Sequence, residues 1–246
     1  MKTLFRTSIL SFLFLTSIRA VVAENLPEYR PALLGNHPRS LINLINAKGL
    51  MKRGQGNGLV MFSCGVNAGG YAFYGVAYRG TPNSDLLRQE LVQRIYQAQF
   101  EPAVFRHQHV GVYLGGTLVF AIKDGKPHVR IFLNQEEDAL KRGRDFIAPQ
   151  FAFVVSNTKF DGIYYPPEAP GHEGIVMLHL AVTENGQVTG ASIGYEFPTG
   201  LKFGAAVASP IRDALFIPGF RDGKRVACKF DWTIVFSGPG RQMRTG

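Results

Sequence analysis

The sequence predicts an α+β fold of two successive β-β-α-β units, each a small antiparallel sheet with one helix packed on it. Three observations carry the prediction. Short runs alternate between apolar and polar residues, the period of a half-buried strand. Pairs such as Asn185-Gly186 and Asp222-Gly223 separate those runs, and such dipeptides favour tight hairpins. Third, the chain resembles itself. Shifted by 116 positions, Gly58–Phe120 lies on Gly174–Phe236 without a gap.

The matches fall on apolar and turn positions. Gly58, Val60 and Met61 meet Gly174, Val176 and Met177, and Val66 and Gly70 meet Val182 and Gly186. Pro82 meets Pro198; Ile95, Ala98, Phe100 and Pro102 meet Ile211, Ala214, Phe216 and Pro218. Thr117, Val119 and Phe120 meet Thr233, Val235 and Phe236. Two such segments in one chain imply a tandem pair of supersecondary units.

In the first unit, Val60, Phe62, Cys64 and Val66 form the inward face of a strand that turns at Gly69-Gly70. Ser84 is placed to cap a helix, with Leu87, Leu91 and Ile95 at helical spacing up to Ala98. Val110, Val112, Leu114, Leu118 and Phe120 alternate on a last strand. Asp124-Gly125 then signals a hairpin, so His128–Phe132 should return as a fourth strand along that edge. The aromatic-rich stretch from Tyr71 to Tyr78 reads as an edge strand with some exposed rings.

In the second unit, Val176, Leu178, Leu180 and Val182 alternate, Asn185-Gly186 turns the chain, and residues 187–195 return. Residues 201–215 are helical in pattern, with Pro210 bending the helix or ending its first turn. Asp222-Gly223 turns again, and Val226, Cys228, Phe230, Trp232, Ile234 and Phe236 alternate down the closing strand. Cys64 and Cys228 therefore sit on inward faces of different units. Both are expected as buried thiols rather than a disulfide.

The N-terminus reads as a targeting segment. Lys2 and Arg6 precede an apolar run from Ile9 to Ile18, and Val21 and Ala23 occupy the small-residue positions of a cleavage site. A signal peptide cleaved after Ala23 is the expectation, with an uncleaved inner-membrane anchor as the alternative. A periplasmic or secreted location follows from the first. Without Lys2, Arg6 and Arg19 the net charge falls from +9 to +6. That is moderately basic, with no concentrated arm for nucleic acid. The organisation expected is 1–23 signal peptide, 24–44 extension, 45–135 first unit with its extra strand, 136–161 connector, 162–238 second unit and 239–246 polar tail.

The second unit carries a family resemblance. Tyr165-Pro166, Ala169, Gly174, Val176, Val182, Gly186, Val188, Ala205-Ala206, Phe216, Pro218, Asp222-Gly223-Lys224 and Val226, closed by an aromatic strand, resemble the C-terminal domain of TonB-type energy transducers over about Gly162–Phe236. The first unit resembles the family only through the second. Departures are Gly219 where the family has Ala, Pro210 in the helix, and the missing Pro-rich spacer. The resemblance implies a fold and a binding mode rather than full energy transduction. In the family, the last strand of the domain receives an extended peptide of an outer-membrane receptor.

No enzyme signature is present: neither a nucleophile elbow, a zinc-protease helix, a P-loop nor a dinucleotide fingerprint. His107 and His109 share a strand face as a conceivable metal pair, but no third ligand stands near them; exposed turn histidines are the plainer reading. His179, between Leu178 and Leu180, should face outward. Glu136, Glu137 and Asp138 have the wrong spacing for calcium and suit the start of a short helix. Lys141, Arg142 and Arg144 form the densest basic run, read as a solvated helix end or an anionic-surface contact. No cofactor and no metal are expected.

An open sheet edge offers unpaired N–H and C=O groups to another extended chain. Carried over from the resemblance, the acceptor strand is Val226, Ala227, Cys228, Lys229, Phe230, Asp231, Trp232, Thr233, Ile234, Val235 and Phe236. The function expected is binding of an extended segment of an envelope partner by strand addition, with a link to TonB-dependent transport through an outer-membrane receptor. The alternative is a self-associating structural protein, a homodimer among its forms, that pairs through its own open edges.

Overall fold

The computed structural model describes residues 25–133, 146–153 and 162–236. The targeting segment, the acidic triplet at 136–138, the basic run at 141–144 and the tail at 239–246 lie outside the described residues. The fold is α+β with antiparallel sheets.

The N-terminal half opens with strand β1 (Tyr29–Arg30) and helices α1 (Leu41–Leu44) and α2 (Ala47–Lys52). Then come β2 (Gly58–Val66), β3 (Ala72–Gly80), α3 (Asp85–Ile95), β4 (Ala103–Phe105), β5 (Gln108–Lys123) and β6 (Lys126–Phe132). Val60, Phe62, Cys64 and Val66 alternate inward and are fully buried. Leu87, Leu91 and Ile95 of α3 pack on them. Ser84 stands at the N-cap of α3 as expected, but its hydroxyl donates back to the Thr81 carbonyl at 2.6 Å. The capping bond comes instead from a distant side chain, with Leu87 N–H donating to Gln55 Oε1 at 3.0 Å. Asp124 and Gly125 both have positive φ and form the two-residue hairpin turn that brings β6 back along β5.

The segment expected to be a plain connector supplies β7 (Phe146–Ile147) and β8 (Gln150–Phe153). The C-terminal half comprises β9 (Gly174–Val182), β10 (Val188–Phe197), α4 (Phe203–Ala208), a 3-10 turn (Pro210–Asp213), β11 (Leu215–Ile217), β12 (Gly219–Arg221), β13 (Lys224–Val226) and β14 (Cys228–Phe236). The helical segment is shorter than the 201–215 expected. Pro210 has no N–H to continue an α-helix, and the chain tightens into the 3-10 turn there. The start of α4 is satisfied from β10, where the Glu196 carboxylate accepts from the Phe203 and Gly204 N–H groups at 3.1 Å each. The closing strand is not continuous either: it breaks at Ala227 between β13 and β14.

The N-terminal half is not a separate three-stranded sheet, whereas β9, β10 and β14 of the other half do form one. β1, β4, β5, β2, β3, β6, β8 and β11 form one eight-stranded sheet, while β10-β9-β14 and β13-β12-β7 form two three-stranded ones. β8 joins the halves: Phe153, Ala152 and Phe151 pair with Gly111, Val112 and Tyr113 of β5, while Ala152, Phe151 and Gln150 pair with Leu215, Phe216 and Ile217 of β11.

Two core clusters result, one around Phe62, Cys64, Leu91 and Leu118, the other around Leu178, Phe203, Phe216 and Trp232. Cys64 is enclosed in the first, where burial pushes its thiol far above the ordinary range. Cys228 edges the second and is only partly buried, which corrects the expectation that both thiols are buried. Its strand begins at the rim, beside Gly219.

Pairings in the two halves run in step. Gly58 pairs with Phe120 and Val66 with Val112; Gly174 pairs with Phe236 and Val182 with Cys228. Tyr78 is skipped in the β2–β3 register, and Gly194 in the β9–β10 register. Gly70 accepts from Phe100 N–H at 2.8 Å and Gly186 from Phe216 N–H at 2.9 Å. A Cβ on either glycine would collide with the carbonyl oxygen of that same phenylalanine.

Candidate partner-binding edge

The predicted acceptor residues run along β13 and β14. Val226 belongs to β13 and pairs with Gly219, and Ala227 is the break. Cys228 to Phe236 form β14, which pairs with β9 through all nine residues and with no second strand among the described residues.

Which groups face the open side follows from the ladder. Thr183 N–H donates to Gln187 O at 2.9 Å across the β9–β10 turn. Bonding sides alternate along an antiparallel strand, so the odd-numbered residues of β9 bond to β10 and Val176, Leu178, Leu180 and Val182 bond to β14. Their partners are Ile234, Trp232, Phe230 and Cys228. Lys229, Asp231, Thr233 and Val235 therefore turn their N–H and C=O groups to the open side.

The comparable strand, β5, is covered on that side. β8 pairs with Gly111 to Tyr113 and β6 with Thr117 to Lys123, the latter as the Asp124-Gly125 turn led one to expect. Between them Gly115 faces a cleft of about 1250 Å³. Met61, Ser63, Tyr78, Arg79 and Thr117 wall this cleft from the N-terminal half, and Met177, His179, Ser192, Lys229, Asp231 and Thr233 from the other. The open edge of β14 thus borders a cleft between the two halves.

Inward, Phe230 and Trp232 are buried, with Trp232 5.2 Å from the Phe151 ring and 5.6 Å from Phe216, centroid to centroid. That aromatic contact anchors β14 from below. On the outer face, His179 points away from the core as expected, and its Nδ1 lies 2.6 Å from Asp231 Oδ1. Both side chains are more than half exposed, so the pair adds little stability. Tyr78 and Thr233 line the cleft from its two sides, close enough for their side chains to interact. Burial raises the Tyr78 phenol, while the Thr233 side chain and the nearby Arg79 charge pull it down.

Sequence reading missed Tyr78. In the sequence it is one ring of an aromatic-rich strand, and a bulge that re-aims it leaves no mark in a period-2 pattern. The histidine pair falls elsewhere. His107 lies in the β4–β5 turn with positive φ, its Nδ1 2.9 Å from the Leu26 carbonyl oxygen, and His109 pairs with Val104 on β5. Among the described residues no three His, Cys, Asp or Glu side chains gather as a metal group, and no helix is long and apolar enough to cross a membrane.

No protein-family model, curated protein or solved structure matches the chain.

Proposed function

We propose that the chain is a tandem pair of β-β-α-β units similar to the C-terminal domain of TonB-type transducers, and that it binds an extended segment of an envelope partner along β14. The recurrence of register, bulge and turn contacts at one offset supports the tandem reading. The strongest support for the function is the contrast between two corresponding strands. The outer side of β5 is taken by β8 and β6, whereas β14 presents four residues' worth of N–H and C=O groups to a cleft. Unpaired edges are normally blunted because they invite pairing; this one sits in a recess, where a flat second sheet has little access and a single strand has more. The N-terminal unit, with the corresponding edge covered, is then a scaffold, and the C-terminal unit carries recognition. On this reading the protein works in the periplasm as a binding module rather than a catalyst, with an outer-membrane receptor as the partner class the resemblance suggests.

Photo-crosslinking from Asp231 in the native envelope, read by mass spectrometry, tests this. The expected adduct is an extended segment of another envelope protein. A cross-link to a second copy of the chain would favour self-association through the same edge. Pro at Lys229 and Thr233 removes two open-edge N–H groups and should abolish the adduct in protein that circular dichroism shows to be folded. Survival of the adduct in that double variant overturns the assignment.

A further inference from the structure

Tyr78 is the extra residue of one of the two bulges in β3. Met61 pairs with Arg79 and Phe62 with Ala77, which leaves Tyr78 without an opposite number. A bulge re-aims the side chain it carries, and this one lines the cleft opposite Thr233 of the other half. Tyr78 belongs to neither core cluster, so its ring is not needed to fill the interior. The bulge at the corresponding place in β10 carries Gly194, so such a bulge does not itself require an aromatic residue.

Thr233 is one of the four residues whose backbone groups face the open side of β14. Directly opposed residues in a strand pair project to the same face, with Cβ atoms about 4.5–5.5 Å apart. The side chain of an incoming residue opposite Thr233 would therefore enter the space beside the Thr233 hydroxyl, where the Tyr78 phenol already lies. Asp231 differs, because its partner His179 comes from within the same sheet and does not reach in from the opposing wall.

Resting on the reading of β14 as an acceptor, we propose that Tyr78 is its specificity-determining residue. It admits an incoming strand only where a side chain no larger than that of Gly, Ala or Ser stands opposite Thr233. The N-terminal half thereby acts as a size filter on peptides taken up by the other half.

A displayed library of random nine-residue peptides, matching the nine residues of β14, is selected on the full chain and on its Tyr78→Phe and Tyr78→Ala variants. The wild-type pool should have one position confined to Gly, Ala and Ser. Tyr78→Phe keeps the ring and should keep that bias; Tyr78→Ala should open the same position to Leu, Ile and Phe. Synthetic peptides with Ala or Leu there should differ by about tenfold or more in affinity for the wild type, the cost expected of overpacking a filled site. The two should bind Tyr78→Ala alike. A bias that persists in Tyr78→Ala, or no size-restricted position in the wild-type pool, overturns the role of Tyr78. Binding that survives the Lys229→Pro, Thr233→Pro double variant overturns the acceptor reading instead, and a library that yields no binder overturns both.

Discussion

Gln150 offers the sharpest test of how the two halves are held together. It lies on β8, is 1 % exposed, and makes two hydrogen bonds to one residue of the N-terminal segment. Ala32 N–H donates to Gln150 Oε1 at 2.7 Å, and Gln150 Nε2 donates to Ala32 O at 2.9 Å. Ala32 is itself fully buried, so water cannot replace the amide. Gln150→Leu keeps the volume and removes both partners. Each stranded backbone group costs about 1–3 kcal/mol, so two cost about 2–6 kcal/mol. Added apolar burial offsets part of this, leaving about 2–4 kcal/mol. Domains are commonly stable by about 5–15 kcal/mol, so the loss is a large fraction of the total. In urea, with a slope of about 2–3 kcal/mol/M, the midpoint should fall by about 1 M. Hydrogen exchange at the Ala32 amide should accelerate by a larger factor than at Leu91 in α3. A midpoint shift below about 0.2 M, or unchanged Ala32 exchange, would refute the view that this amide fastens the segment to β8.

Gly186→Ala and Gly70→Ala should each cost about 2 kcal/mol or more, since both sites have positive φ and both Cβ atoms would strike a phenylalanine carbonyl; thermal melts measure this, and a neutral result would void the turn contact. Cys64 should resist thiol reagents until the protein unfolds, because burial keeps it protonated and enclosed, whereas partly buried Cys228 should label first; peptide mapping of a labelling time course distinguishes them. Tyr113→Phe should be neutral or stabilising at neutral pH, because the Tyr113 hydroxyl is buried with no hydrogen-bond partner among the described residues. Burial pushes that phenol up to about 12. The stability tied to its protonated form is therefore complete below the unfolded value of about 10 and is lost as pH rises through the folded one. The wild type should lose melting temperature across that alkaline window, and Tyr113→Phe should lose less.

Much of the local structure could be read from residue spacing. The alternation in 60–66 and 176–182 located both first strands, and Asp124-Gly125 placed β6, because strand faces and two-residue turns depend on near neighbours. Three things were not legible. The role of β8 rests on pairing with residues about 40 and 65 positions away on opposite sides, and its sequence Gln150–Phe153 is too short to show a period. The cap of α3 comes from Gln55, far from Ser84, so the local capping rule found the position but not the bond. The third is Tyr78, whose direction is set by a register shift that only the paired strands define. The edge strand was placed to within a residue or two, with the break at Ala227 missed because alternation continues on both sides of it.

The shared strand β8 also bears on how the molecule comes apart. Phe151 stacks on Tyr113 from one half and touches Phe216 and Trp232 from the other, so its ring is common property of both interiors. Two similar segments in one chain ordinarily invite dissection, with each expressed alone. Here a cut between residues 153 and 162 would leave β8 with the N-terminal piece and strip Trp232 of a ring it rests on. The remainder from 162 onward should be poorly folded by itself, and the intact chain should melt in one cooperative step rather than two. Similarity between two segments of a sequence therefore need not mark a boundary of autonomy, because a strand between them can belong to both interiors.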